Sequence, residues 1–326
     1  MASPTSSLAT LRPDLASSLL EFDLAMDRRG FIAQQVASVI PVASQAGTFG
    51  KIPVEQLLQT RETRRSPGAG YARGNWTFGT ATYTCEEHGA EEPIDDREVK
   101  MYAQYFDAET ISTSRAYDAV LRNAEIRMSS LIFNASTWNT SDLKTAVSDE
   151  WDDLANAKPI DDVEAAVRKV WAGCGMWPNA LVINRHVFRN LRRCAQVIDA
   201  IESDGAGFAT RQKDVTAAQL AAVFDLPYII ISGSAKNTAT EGQSVTFDKV
   251  WSDEYAMVCR VAETQDPREP CIARTFHWAD DGSQIDGRVE SYREEKVRSD
   301  IIRVRHDVDE IVMYKEMGHL LENITT

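Results

Sequence analysis

Few residues of this chain stand at spacings that support chemistry. The five histidines, His88, His186, His277, His306 and His319, are scattered singly. Each therefore reads as a surface or core histidine rather than as a base or a metal ligand. Cys85, Cys174, Cys194, Cys259 and Cys271 are equally dispersed, with no CxxC and no adjacent histidine pair. That pattern argues against a disulfide framework or a structural zinc site and predicts free thiols in a reducing compartment. Asp280, Asp281 and Asp286 could hold a cation, but they lack the ligand spacing of an EF-hand loop and read as an acidic turn. Segment 66–74 is glycine-rich, yet its GxGxxxG spacing precedes a strand, so no helix N-terminus would meet a pyrophosphate there. Ile231-Ser-Gly-Ser234 follows an apolar strand but lacks the GxSxG of a nucleophile elbow. No Walker A sequence is present, and no cofactor, catalytic residue or metal is expected.

The chemistry that remains is ionic. Arg61, Arg64, Arg65 and Arg73 gather around one turn, and Arg185, Arg189, Arg192 and Arg193 gather on one short helix, where 185, 189 and 193 form a stripe. Neither group has the interleaved aromatics of a nucleic-acid platform. A net charge of −14 also disfavours wrapping nucleic acid, which depends on neutralising phosphates. In so acidic a chain, an arginine-tipped segment is suited to gripping an acidic surface through bidentate pairing. Identical subunits would supply such surfaces, for example the acidic runs at 149–153 and 307–310.

The elements that must carry these groups can be read from spacing. With 326 residues, 43% of them hydrophobic, the chain can bury one large or two ordinary cores, which excludes a disordered or fibrous protein. No apolar run is long enough to span a bilayer, and no basic-then-apolar leader is visible. After a loose stretch over 1–13, Leu15, Leu19, Phe22 and Met26 make one apolar helical stripe, followed by an apolar run over 31–42. An arm of this kind must bury its stripe on its own body or on a neighbour, and the neighbour is the expectation here. Residues 47–93 read as a long hairpin turning at 66–70, with Trp76, Phe78, Thr80, Thr82 and Thr84 on one face. It is either a ribbon folded on its own domain or an arm reaching an adjacent subunit. Asp95 and Asp96 open a helix whose apolar face is Val99, Tyr102 and Phe106. A longer helix is predicted over 109–133, with Tyr117, Val120, Leu121, Ala124, Met128, Leu131 and Ile132 on one side. Residues 141–157 read as acidic and loosely helical. A helix beginning at Pro159 is expected to end before Gly173. Then come a strand at 180–184, a helix over 185–194 capped by Asn184, a helix from Thr216 to 224, and a strand at 228–232. Strands are predicted at 255–261, 272–278, 288–292, 301–305 and 311–315.

An arm, an extended loop, a spine helix, an α/β unit and returning strands, in that order, resemble the major capsid proteins of tailed bacteriophages. The local sequence agrees: Ile94-Asp-Asp-Arg-Glu-Val with Tyr102, Tyr105-Phe-Asp-Ala-Glu109, Leu131-Ile-Phe-Asn134, PNALVINRHVF at 178–188 and WSDEYAMV at 251–258. The resemblance implies an α+β fold of the Hong Kong 97 type. Its divisions would be an N-terminal arm (1–46), an extended loop (47–93), a peripheral domain with the spine helix (94–157), an axial domain (158–280) and C-terminal strands returning to the peripheral domain (281–326). It implies a self-assembling structural protein rather than an enzyme. The chain would form pentamers and hexamers in an icosahedral shell around double-stranded DNA, in a virion capsid assembled in the host bacterial cytoplasm. Inter-subunit contacts would fall on Arg61, Arg64, Arg65, Arg73 and Trp76 of the loop and on Leu15, Leu19, Phe22 and Met26 of the arm. Further partners would be a separate scaffolding protein, a portal and a decoration protein, with the genome touched weakly on the inner face and no membrane. Only about 13 loose residues precede the arm stripe, so scaffolding is expected from another protein. No lysine occurs between Pro53 and Val99, so a lysine cross-link from the loop is not expected. Two alternatives stay open: an encapsulin-type nanocompartment shell, and a metal-dependent α/β hydrolase centred on Asp280, Asp281 and Asp286.

Overall fold

The computed structural model describes residues 10–11, 30–51, 53, 56, 58–74, 77, 79–102, 107–203, 215–240, 242–279, 285 and 287–326. The expected arm contacts Leu15, Leu19, Phe22 and Met26, together with Trp76 and the acidic turn Asp280, Asp281 and Asp286, lie outside the described residues.

Two sheets are joined by one long helix. The first sheet contains β1 (Thr10–Leu11), β2 (Ser38–Val42), β5 (Glu86–Asp95), β12 (Ala273–Trp278), β13 (Arg288–Glu294) and β14 (Ser299–Val312). β14 runs antiparallel to β13 over Ser299–Arg305, to β5 over Ser299–Val308 and to β12 over Val308–Val312. β2 lies at one end of the strand order, parallel to β12, so Pro41 costs no ladder bond that a central strand would need. The second sheet has the order β6 (Lys144–Ala146), β15 (Gly318–Glu322), β11 (Tyr255–Cys259), β7 (Ala180–Asn184), β8 (Tyr228–Ser232).

The spine helix, α3 (Ala108–Ile132), follows the short helices α1 (Ala33–Val36) and α2 (Asp96–Tyr102). Asp107 caps it, accepting hydrogen bonds from the Glu109 amide and the Thr110 hydroxyl. Over its 25 residues it is about 37 Å long. Its N-terminal half buries Ala116, Tyr117, Val120 and Leu121 against Ile94, Val289, Ile302 and Val304 of the first sheet. Its C-terminal half buries Met128 and Ile132 against Ala180, Val182, Met257 and Leu320 of the second. The opposite face of the second sheet, carrying Leu181, Ile183, Ala256 and Val258, is covered by α4 (Pro159–Cys174), α5 (Arg185–Leu191), α6 (Ala195–Ser203) and α7 (Ala217–Phe224). Because side chains alternate across a strand, covering both faces requires β7 to be apolar throughout, and all five of its residues are buried.

Several expectations are corrected. Residues 31–42 are not part of a free arm. Ile32, Val36 and Ala37 are core residues, and β2 completes the first sheet. Gly30 sets this path: a side chain there would come within 2.5 Å of the Gly233 amide, and the Gly233 amide donates to the Gly30 carbonyl at 3.1 Å. The hairpin pairs only from Ala46–Lys51 (β3) to Gly79–Thr84 (β4), whereas β5 belongs to the first sheet. Val99 is exposed rather than the start of a buried face on α2. The loosely helical stretch at 141–157 is turns plus β6, because its backbone groups pair with the chain near Leu320–Ile324. Gly173 is helical, and the left-handed cap of α4 is Gly175. The helix expected over 185–194 stops at Leu191 and a second one begins at Ala195. The strands expected at 301–305 and 311–315 are one strand, because His306 and Asp307 between them are buried polar residues. The division of the chain also differs: β12, expected in the axial segment, joins the first sheet, whereas β6 and β15 join the second.

Candidate assembly surfaces

The extended loop is anchored at its root. Phe49 on β3 and Tyr83 on β4 pack onto Phe276, with Tyr83 stacked on it at 4.8 Å between ring centroids. Gly47, opposite Tyr83 in the register, leaves room for that ring. Lys51 donates to the Met313 carbonyl and lies 4.2 Å from the Tyr314 ring centre, and burial lowers its pKa.

Beyond this root, residues 58–74 are exposed throughout, without helix or strand. The turn closes through the Ala69 amide donating to the Ser66 carbonyl at 3.1 Å, with Gly68 at φ +84° after Pro67. The four arginines divide into two pairs. Arg65 donates from Nε to the Ala69 carbonyl at 2.6 Å and lies 5.1 Å from the Tyr71 ring, while Arg61 presses against Gly74. Those two shape the tip. Arg64 and Arg73 have no ion pair among the described residues. The second basic group divides similarly: Arg185 and Arg192 flank the Phe188 ring at 5.8 and 5.6 Å, whereas Arg189 and Arg193 are simply exposed.

The acidic runs expected to receive the loop are engaged within their own subunit. Glu310 takes Arg127 bidentately at 2.7–3.2 Å, Asp309 accepts the Thr84 amide at 2.8 Å, and Asp307 lies 3.6 Å from Arg305. Glu150 and Asp152 accept from Thr326, and Asp153 caps the turn at Ala155 and Asn156.

Glu125 was not anticipated. It is 1% exposed at the middle of the spine and accepts the Ala33 amide at 2.7 Å, the Ile32 amide and the Trp251 indole N–H at 2.6 Å. Burial raises its pKa, partly offset by these donors. One turn further on, the Ser129 hydroxyl donates to the Val250 carbonyl at 2.8 Å. The segment after Gly30, the spine and the second sheet therefore meet at one carboxylate. A carboxylate four residues after Leu121 and three before Met128, inside an apolar stripe, was the available signal.

His277, His306 and His319 are core residues, whereas His186 is exposed and His88 half-buried. His306 bonds the Ile285 carbonyl and His319 bonds the Asp142 carbonyl, each at 2.9 Å, and burial lowers both pKa values to about 4. All five cysteines are free and buried, and burial pushes Cys85, Cys194 and Cys271 up to about 11. Among the described residues no cluster of three His, Cys, Asp or Glu could hold a metal, and no helix is long and apolar enough to cross a membrane.

No protein-family model matches the chain. Sequence comparison finds the major capsid protein of Pseudomonas phage JBD67, 22% identical over 293 residues that cover 90% of this chain and 91% of that protein. The major capsid protein of Burkholderia phage BcepMu is 25% identical over 286 residues, covering 84% and 86%. Among solved structures, a phage-related protein of Bordetella bronchiseptica superposes with a TM-score of 0.71 at 20% identity, covering 97% of this chain and 98% of that one. A structure from Microbacterium phage Oxtober96 gives 0.57 at 11% identity, covering 90% and 91%. The chain has the Hong Kong 97-like fold, and its similarity to phage major capsid proteins along most of its length supports a structural capsid role.

Proposed function

We propose that copies of this chain associate as pentamers and hexamers into a closed shell around a double-stranded DNA genome. The shell would form in the host bacterial cytoplasm and become the virion capsid, with scaffolding, portal and decoration proteins as separate partners. The observation that carries this reading is the loop: residues 58–74 stand in solvent, without a core, at the end of a firmly anchored ribbon. A segment without a core of its own is expected to order against another surface. Within this reading the loop reaches across to the next subunit of the same ring, and the arm residues Leu15, Leu19, Phe22 and Met26 contact another subunit. A genome inside an acidic shell would be held by confinement more than by contact. The experiment is to express the full chain and analyse it by sedimentation and negative-stain microscopy. Closed megadalton particles are expected; a monodisperse small oligomer under all assembly conditions would overturn the reading.

A further inference from the structure

His88 and His306 stand directly opposite each other on the paired strands β5 and β14. Both lie on the face that Ala90, Ile94, Ile302 and Val304 turn toward the spine, since residues two apart on a strand share a face. Their rings meet edge to face with centres 6.1 Å apart. The two nitrogens of His306 differ in their surroundings. Nδ1 lies 2.9 Å from the Ile285 carbonyl, which can only accept, so that nitrogen carries the proton. In the neutral ring Nε2 then holds a lone pair, and it is buried with no hydrogen-bond partner among the described residues. His306 is 2% exposed, so bulk water does not serve this acceptor either. An unpaired buried acceptor is costly, and a bound ion is one way to satisfy it.

We propose that His88 and His306 bind one divalent transition-metal ion, of the zinc or nickel kind, between β5 and β14. The inference goes beyond the shell reading and stands apart from it. An imidazole whose Nδ1–H is fixed by a carbonyl presents Nε2 as metal-bound histidines do. Two imidazoles sharing a tetrahedral ion, each nitrogen about 2 Å from it, have ring centres roughly 5–6 Å apart. The observed spacing is close to that, and His88 is half-buried, which leaves one side of the pair open to a hydrated ion. Burial lowers the pKa of both rings, so at neutral pH both are in the uncharged form that ligates. The charged groups acting on the pair are Glu86 on β5, Glu310 on β14 and Arg127 on the spine. Glu310 holds Arg127 bidentately, and Glu86 then leaves the surroundings net negative, which favours a cation. With only two protein ligands, water completes the coordination, and binding is weaker than at a full zinc site. Imidazole nitrogens select such ions over magnesium and calcium, which take oxygen ligands.

The test titrates the full-length, EDTA-treated chain with Zn²⁺ by calorimetry at neutral pH. One ion per chain is expected, with a rise in melting temperature that EDTA reverses and that Mg²⁺ does not produce. His88→Ala should weaken binding by about tenfold or more, whereas His186→Ala, at an exposed position on α5, should bind as the unmodified chain does. Zn²⁺ should also slow acylation of His88 by diethyl pyrocarbonate, read by mass spectrometry. Absence of saturable binding would overturn the proposal. Equal binding by His88→Ala would do the same, since it would mean an adventitious surface ion only. Either result leaves the shell reading intact.

Discussion

At the middle of the spine, Glu125 is buried with three donors around it; at the loop tip, Arg64 and Arg73 stand in solvent without an ion pair among the described residues. The first charge is fixed within the subunit, and losing it leaves polar groups stranded away from water. The second costs nothing to expose and is available to a partner. Charged groups here therefore follow two rules according to burial. Substitution at the junction should be read in subunit stability, and substitution at the tip should be read in assembly.

The comparison breaks most visibly if the segment after Gly30 is removed. Deleting residues 1–42 takes Ile32, Val36, Ala37 and Ile40 out of two cores and strips β2 from its sheet. At ~1.5–3 kcal/mol per large buried side chain the loss should exceed about 5 kcal/mol and unfold the subunit. Deleting residues 1–29 should leave a cooperative melt, and circular dichroism of the two truncations checks the difference. Next in size is Glu125→Ala, which strands two amides and an indole N–H and should cost about 3–5 kcal/mol in urea unfolding. Glu125→Gln, which keeps one acceptor, should cost less.

Acidification gives a smaller effect. The neutral forms of His306 and His319 are favoured in the fold, with pKa values near 4 against 6.5 unfolded. Their contribution is complete above pH 6.5, declines as pH falls toward 4 and levels off below, amounting to about 2–3 kcal/mol for each. Glu125 acts with the opposite sign, because its raised pKa weakens the fold as pH rises above the usual carboxylate range. Urea midpoints at pH 7 and pH 4.5, compared with those of His306→Gln, isolate the histidine part. The smallest effect on stability is expected from Arg64→Glu with Arg73→Glu. The melting temperature should hold within about 2 °C while particle yield collapses. Arg65→Glu would instead loosen the turn itself, since Arg65 bonds the Ala69 carbonyl.

How much of this was legible follows from the physics of each element. The spine was visible because Tyr117, Val120, Leu121, Met128 and Ile132 keep one helical period, and the structure bounds it one residue from the expectation at each end. Asn184 and Thr216 were readable as caps because a cap is a local pattern, and both side chains accept the expected amide bonds. The division of the tip arginines was not readable, because it depends on Ala69 and Tyr71 folding back beneath Arg65. The engagement of residues 307–310 was hidden for the same reason, since Arg127 and Thr84 are far away in sequence. β15 was missed because Gly-His-Leu-Leu-Glu is too short to show a period, and its pairing with β11 and β6 is entirely long-range. The resemblance to capsid proteins rested on the order of elements, which tolerates such errors in individual strands.

The position of β15 also bears on timing in the cell. It lies between β6 and β11 in the second sheet, so until residues 318–322 have left the ribosome β6 has no partner there and β11 has an open edge. A nascent chain could have its spine, its loop and all its arginines emerged and still lack a finished second sheet. Translation thus acts as a clock. On the shell reading, subunits would complete this sheet only once residues 318–322 are decoded, which would keep polysome-bound chains, crowded along one message, from polymerising before then.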